Sequence, residues 1–277
     1  MVVPPLLLCA GLLVSSQSLF IVGSFHRDLG LGRTADVWEL HNYVRVLTDS
    51  LYLQCLATTI RTSAFATFGT LLMAFPVAYI IARMQSRWAM VLIAGIVATT
   101  FITIVVKALG LMIIFAGNGI LNRIVLGLGI SIDPVQLIGT EAGVVVGLMQ
   151  FTLGFAVLLL YSVLQTIPRS IEEAAQAHGA GGFRVFTRIL LPLSLPGVSV
   201  CSLMVFNMCM GAFTSAALLG GGRVLTLPVL IQQTIMMQVK YSMAATLAVV
   251  LMVVVLGINF LSILLMRRMR AARMVIA

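Results

Sequence analysis

The chain has 277 residues, 61% of them hydrophobic and only 9% charged. A soluble domain carries about 25% charged residues to cover its surface, so this composition excludes a water-solvated enzyme or binding domain and requires lipid as the solvent. The net charge of +9 does not mark a nucleic-acid binder. The basic residues fall in short gaps between apolar runs, as the positive-inside rule expects.

Six apolar spans are predicted in chain order. The first covers about residues 3–24; no Lys or Arg precedes it and no small-residue cleavage site follows, so it reads as a retained helix and not as a signal peptide. A polar stretch from His26 to Ser50 holds Asp28, Asp36, Glu39 and Asp49. The second span is predicted over 55–82, with Pro76 inside it, and the third from Trp88 through Val106. The fourth covers 142–164, the fifth 197–219 and the sixth 241–266. Each approaches or exceeds the roughly 20 residues that cross a hydrocarbon core. Between the third and fourth spans, the run GNGILNRIVLGLGISIDP (residues 117–134) reads as a short amphipathic piece at the outer interface.

Charge sets the expected orientation. Arg83, Arg87, Arg169, Arg184, Arg188, Arg267, Arg268, Arg270 and Arg273 fall on one side, opposed only by Glu172 and Glu173. The other side balances Arg27, Arg33, Arg45, Arg123, Arg223 and Lys240 against Asp28, Asp36, Glu39, Asp49, Asp133 and Glu141. The first side is expected to be cytoplasmic, with both termini inside.

The loop between spans four and five, Ile167 to Gly197, carries explicit punctuation: IPRSIEEAAQAHGAGGFRVFTRILLPLSLPG. Ser170 followed by Glu173 reads as a capping box, and Glu172 and Glu173 suit the positive end of a helix dipole. Ala174, Ala175 and Ala177 favour helix and leave a narrow face, and Gly179 is a C-terminal stop. Two turns of helix are not stable alone in water, so this one is expected to pack against another surface. A second short helix is expected to put Phe183, Phe186 and Leu190 on one face and Arg184 and Arg188 on another. Pro192 and Pro196 are then expected to bend the chain into span five.

This run resembles the EAA loop of permeases in binding-protein-dependent ABC importers. The matching residues are Glu173, Ala174, Ala175, Gly179, Ala180, Phe186, Ile189, Leu191, Pro192, Pro196 and Gly197, with His178 where many relatives have Asp. NYVRVL, GNGILNRIVLGLGI and FTSAALLGGG extend the resemblance over about residues 42–260, toward the spermidine/putrescine-type branch. The resemblance implies an all-α, polytopic membrane protein: one transmembrane permease domain over 1–277, six helices, a coupling loop at 167–197 and the type I ABC importer permease fold. It implies that Glu172, Glu173, Ala174, Ala175, Gly179 and Ala180 couple the chain to an ATPase. It implies further that ATP and Mg are bound by two partner ATPase subunits, this chain holding no cofactor and doing no catalysis. A second, different permease subunit and a periplasmic or lipid-anchored substrate-binding protein complete the expected assembly, in a bacterial inner membrane.

Lys107 follows nineteen uncharged residues, Trp88 to Val106. Its two readings are a group on the substrate path and an interfacial anchor that snorkels. Asn207 and Phe213 are further path candidates, and Arg61 reads as an anchor. Cys9, Cys55, Cys201 and Cys209 have no metal or disulfide spacing, and LLGGGR (218–223) lacks the pattern of a phosphate loop. The substrate implied by the branch is a polyamine or another small organic solute. Yet the six spans contain no Asp or Glu, and Ala217 stands where an acid is expected in polyamine carriers. The competing reading is a stand-alone channel or secondary transporter, which would need no EAA loop.

Overall fold

The computed structural model describes residues 3–30, 33–129 and 133–276. Residues 130–132 of the 117–134 segment lie outside the described residues, as do the side chains of Asp36 and of the basic cluster Arg267 to Arg273. Among the described residues, six stretches are long and apolar enough to cross a membrane: Pro5–Ser24, Ser50–Arg83, Ile104–Gly127, Glu141–Gln165, Gly182–Gly211 and Tyr241–Leu264. The chain divides into two compact units, 1–59 with 225–277 and 60–224.

In the first unit, α1 (Val3–Ser24) packs along the last helix, α13 (Tyr241–Ile276). The polar stretch after α1 folds as an antiparallel hairpin, β1 (His26–Gly30) and β2 (Arg33–Trp38), the one strand pair among the described residues. Asp28 pins it: its two carboxylate oxygens accept the N–H groups of Ser242 (3.1 Å) and Met243 (2.9 Å). Those are donors that the first turn of α13 cannot satisfy itself. α2 (His41–Thr48), the start of α3 (Ser50–Arg83), α12 (Leu227–Met236) and α13 close a core of Val46, Cys55, Leu227, Leu230, Met243 and Leu247. Thr59 of α3 accepts from the Leu227 N–H at 2.8 Å and so caps α12.

The second unit holds the rest of α3 with α4 (Arg87–Phe101), α5 (Ile104–Phe115), α6 (Ile120–Gly127) and α7 (Glu141–Gln165). α8 (Arg169–Ala177), α9 (Gly182–Val185), α10 (Leu191–Gly211) and α11 (Thr214–Leu219) follow. Two predicted spans are corrected here. The third is helical only to Phe101; Ile102 and Thr103 are extended (ψ 128° and 146°) before α5 begins. The fifth ends at Gly211 instead of residue 219, because Ala212 is extended (ψ 108°) and α11 starts afresh. The segment 101–106, Phe-Ile-Thr-Ile-Val-Val, is dense in β-branched residues that lose rotamer freedom in a helix, which weakens the helix at that point.

Close helix contacts and hydroxyl pairs join the second unit. A Cβ on Gly154 of α7 would lie 2.8 Å from the Thr100 methyl of α4, so only a glycine lets the two helices approach this closely. The Thr70 and Thr152 hydroxyls, both buried, lie 3.0 Å apart between α3 and α7. Arg61 of α3, read from sequence as an anchor, has a protein partner: it pairs with Glu141 in the first turn of α7.

Candidate functional site

The loop between α7 and α10 is held by the C-terminal end of α3. Glu172 of α8 is buried and forms an ion pair with Arg83, and the Tyr79 hydroxyl donates to its second carboxylate oxygen at 3.3 Å. Two reciprocal straps flank the pair. Arg83 donates to the Ile167 carbonyl (3.3 Å), and Arg169 donates to the Ala82 carbonyl (3.2 Å). Phe186 stands edge-on to Phe75 (5.5 Å, 83°) and Tyr79 (5.8 Å, 69°). A helix too short to persist alone is thereby fixed by one charge pair, three hydrogen bonds and an aromatic corner.

The start of α8 differs from expectation. Pro168, with φ −61° and ψ 136°, occupies the N-cap, and no side chain caps the first turn. The helix therefore opens two residues earlier than a Ser170 cap requires, and Ser170 and Glu173 do not form the capping box. The same frame turns Glu172 inward and leaves Glu173 exposed. Proline suits this boundary, because its fixed φ is met and its missing N–H is not needed.

The end of α8 is as read from sequence. Gly179 has φ +81°; its N–H reaches the Gln176 carbonyl (2.9 Å) and the Ala180 N–H reaches that of Ala175 (3.1 Å). These two bonds make a Schellman stop, whose left-handed residue favours glycine. Glu173, Ala174, Ala177 and His178 are exposed on the finished helix, and Ala175 and Ala180 are half-buried.

Beyond Gly181 the chain departs again from the predicted bend. α9 runs into a π turn, Phe186–Leu190, and directly into α10, so 182–211 is one continuous helical stretch. The Leu191 N–H bonds to the Phe186 carbonyl five residues back. The widened turn lies immediately before Pro192, whose ring would clash with the carbonyl four residues earlier in a regular helix. Val185 and Leu190 are buried, whereas Phe183 is 82% exposed and is not packed as Leu190 is.

Residues 49–271 match the family described as "Binding-protein-dependent transport system inner membrane component". The chain belongs to that family. Among its relatives, the spermidine/putrescine transport system permease protein PotB of Haemophilus influenzae is 32% identical over 186 residues, 67% of this chain and 65% of that protein. The Escherichia coli protein of the same name is 30% identical over 187 residues, 68% of each chain. A solved structure of a bacterial alginate ABC transporter in complex with alginate pentasaccharide-bound periplasmic protein has a chain of the same fold. Its TM-score is 0.72 at 19% identity, over 83% of both chains.

The remaining candidates of this inner membrane component lie at the two helix breaks. Lys107 is half-buried on the first turn of α5, its N–H bonded to the Thr103 carbonyl at 3.2 Å. Asn207 is on α10, one turn before that helix ends, and Phe213 sits in the break that follows. The structure thus separates the sequence candidates into an exposed helix with its stop and a set at interrupted spans. Arg83, Tyr79 and Phe75 are the residues that sequence reasoning missed at the first site. Arg83 was counted only toward orientation, because a partner 89 positions away in the chain leaves no local pattern.

Proposed function

We propose that this chain is the permease subunit of a binding-protein-dependent ABC importer, and that α8 is the helix through which ATPase subunits move it. The observation that carries the reading is an exposed, glycine-stopped helix tied by Glu172–Arg83 to the end of a membrane-length helix. A docked protein that shifts α8 would pull on α3 through the ion pair and on α10 through the continuous helix beyond Gly181. Glu173, Ala174, Ala175, Gly179 and Ala180 form the contact, with Glu172 as its inward anchor. ATP and Mg belong to the ATPase partners, and the two compact units act as one permease domain.

Family membership and the PotB relatives support a binding protein as a further partner. A small organic solute is the cargo, and the relatives' names put a polyamine first. One coupling helix per chain, against the two ATPase subunits proposed above, supports a second permease, which we take to be a different chain. Lys107, Asn207 and Phe213 are assigned to the pathway wall. Both termini lie on the cytoplasmic side. A cysteine at exposed Arg184 should then label only from inside and one at exposed Leu40 only from outside; the reverse pattern inverts the orientation.

The experiment on function uses Glu173→Lys and Gly179→Asp in the complete system. Both should insert normally and abolish uptake, with loss of ATPase co-purification. If the ATPase still co-purifies and still responds to loaded binding protein, α8 is not the coupling helix. Differently tagged copies of this chain test the pairing: mutual pull-down from an active complex would mean two copies in place of two different permeases.

A further inference from the structure

The break between α4 and α5 opens on a cavity of about 410 Å³ within the second unit, and Lys107 lines it. That volume is in the range of small-molecule sites. Thr100, Thr103, Phe151, Phe155 and Met208 form much of the rest of the wall, and no Asp or Glu is among its lining residues.

Three features point to one use. First, α4 is 15 residues long, about 22 Å of rise, so a helix starting at one face of a hydrocarbon core of about 30 Å breaks off inside it. Extended backbone at such depth is tolerated only where it is packed in protein or lines a wet cavity. Here it lines a cavity. Second, Lys107 has no acidic partner among the described residues, whereas Arg61 and Arg83 each have one. An ammonium at this depth is costly without a counter-charge. Third, the first turn of α5 has no side-chain cap, so its partial positive charge agrees in sign with Lys107.

We propose that this cavity binds an anionic group of the cargo, a carboxylate or phosphate, with the Lys107 ammonium as its counter-charge. The inference rests on the importer reading for the identity of what passes, and narrows it: a polyamine is repelled by this wall, whereas an organic acid or phosphate ester is attracted. Phe151, Phe155 and Met208 supply the apolar contact for a carbon skeleton. In substrate class, this chain parts from the names its relatives carry.

The test uses the complete complex in nanodiscs of zwitterionic lipid, with Cys9 changed to Ser and Thr103→Cys added one turn from Lys107. Its probes are the anionic 2-sulfonatoethyl and the cationic 2-(trimethylammonium)ethyl methanethiosulfonates. The anionic reagent should react faster, by about tenfold, as focusing by a charged cleft gives. The ratio should fall to parity with Lys107→Met and reverse with Lys107→Glu. A faster cationic reagent, or a ratio unmoved by Lys107→Met, overturns the site. Labelling by neither reagent, as a lipid-filled cavity would give, overturns it too. Mass spectrometry of the solute released from the binding protein is the second arm: a carboxylate or phosphate is expected, and a polycation or uncharged solute overturns the class. Labelling needs no ATP hydrolysis, so failure here is distinguishable from failure of ATPase association, which would sink the importer reading instead.

Discussion

The α8 loop and the broken spans show two ways in which a membrane chain departs from uninterrupted helix. In the loop, the breaks are written as Pro168 and Gly179; the stop at Gly179 satisfies the Ala175 and Gln176 carbonyls, and a strap from Arg83 satisfies that of Ile167. At Ile102–Thr103 and Ala212–Phe213, the helix ends without a proline and without a side-chain cap on the helix that follows. The helix between Pro168 and Gly179 is tied to α3 through Glu172 and Arg83. The first span break faces a cavity. On the readings proposed above, interruption in the loop serves attachment and interruption within a span serves the cargo.

The largest effect should come from breaking the attachment. Arg83→Ala leaves the Glu172 carboxylate buried and unpaired, with only 10% of its side chain exposed. Losing one member of a buried pair costs about 3 kcal/mol or more. Thermal unfolding of the purified complex should therefore drop and uptake should vanish. The swap Arg83→Glu with Glu172→Arg should recover part of both, and a double-mutant cycle showing no coupling would contradict the strap.

A smaller effect is expected from closing the approach of α4 to α7. Gly154→Leu places a side chain where a Cβ already meets Thr100 at 2.8 Å. Overpacking of this kind costs about 1–3 kcal/mol and should distort the break beside Thr100, lowering uptake while ATPase binding is kept. Gly179→Ala meets no clash but must hold φ +81°, at about 1 kcal/mol. It should weaken ATPase retention without altering labelling at position 103. The weakest expected effect is at Arg61→Gln, whose side chain is 57% exposed against Glu141. An exposed pair contributes about 1 kcal/mol or less, so uptake should stay near that of the unaltered chain.

How much of this was legible in the sequence follows the same division. Gly179 announced its stop, because a left-handed residue after an alanine-rich turn has few alternatives. The capping box failed by two residues: Ser170 and Glu173 have the right spacing, but Pro168 claims the N-cap. That shift exchanges the roles of Glu172 and Glu173, which composition treats alike. The number of membrane-length helices followed from apolar length, whereas the break after Phe101 was hidden by uniform hydrophobicity. Its signal was the β-branched run from Ile102 to Val106. The Asp28 link to α13 and the Arg83–Glu172 pair join residues 214 and 89 positions apart, and a single sequence carries no trace of either.

The central claim is that α8 is the contact between this chain and an ATPase. It is tested most directly by placing the photo-crosslinking residue p-benzoylphenylalanine at exposed Ala174 in the active, complete complex. The account predicts a covalent adduct with an ATPase subunit from position 174 and none from exposed Leu40. An active complex giving no ATPase adduct at position 174, or an equal one at position 40, would contradict it.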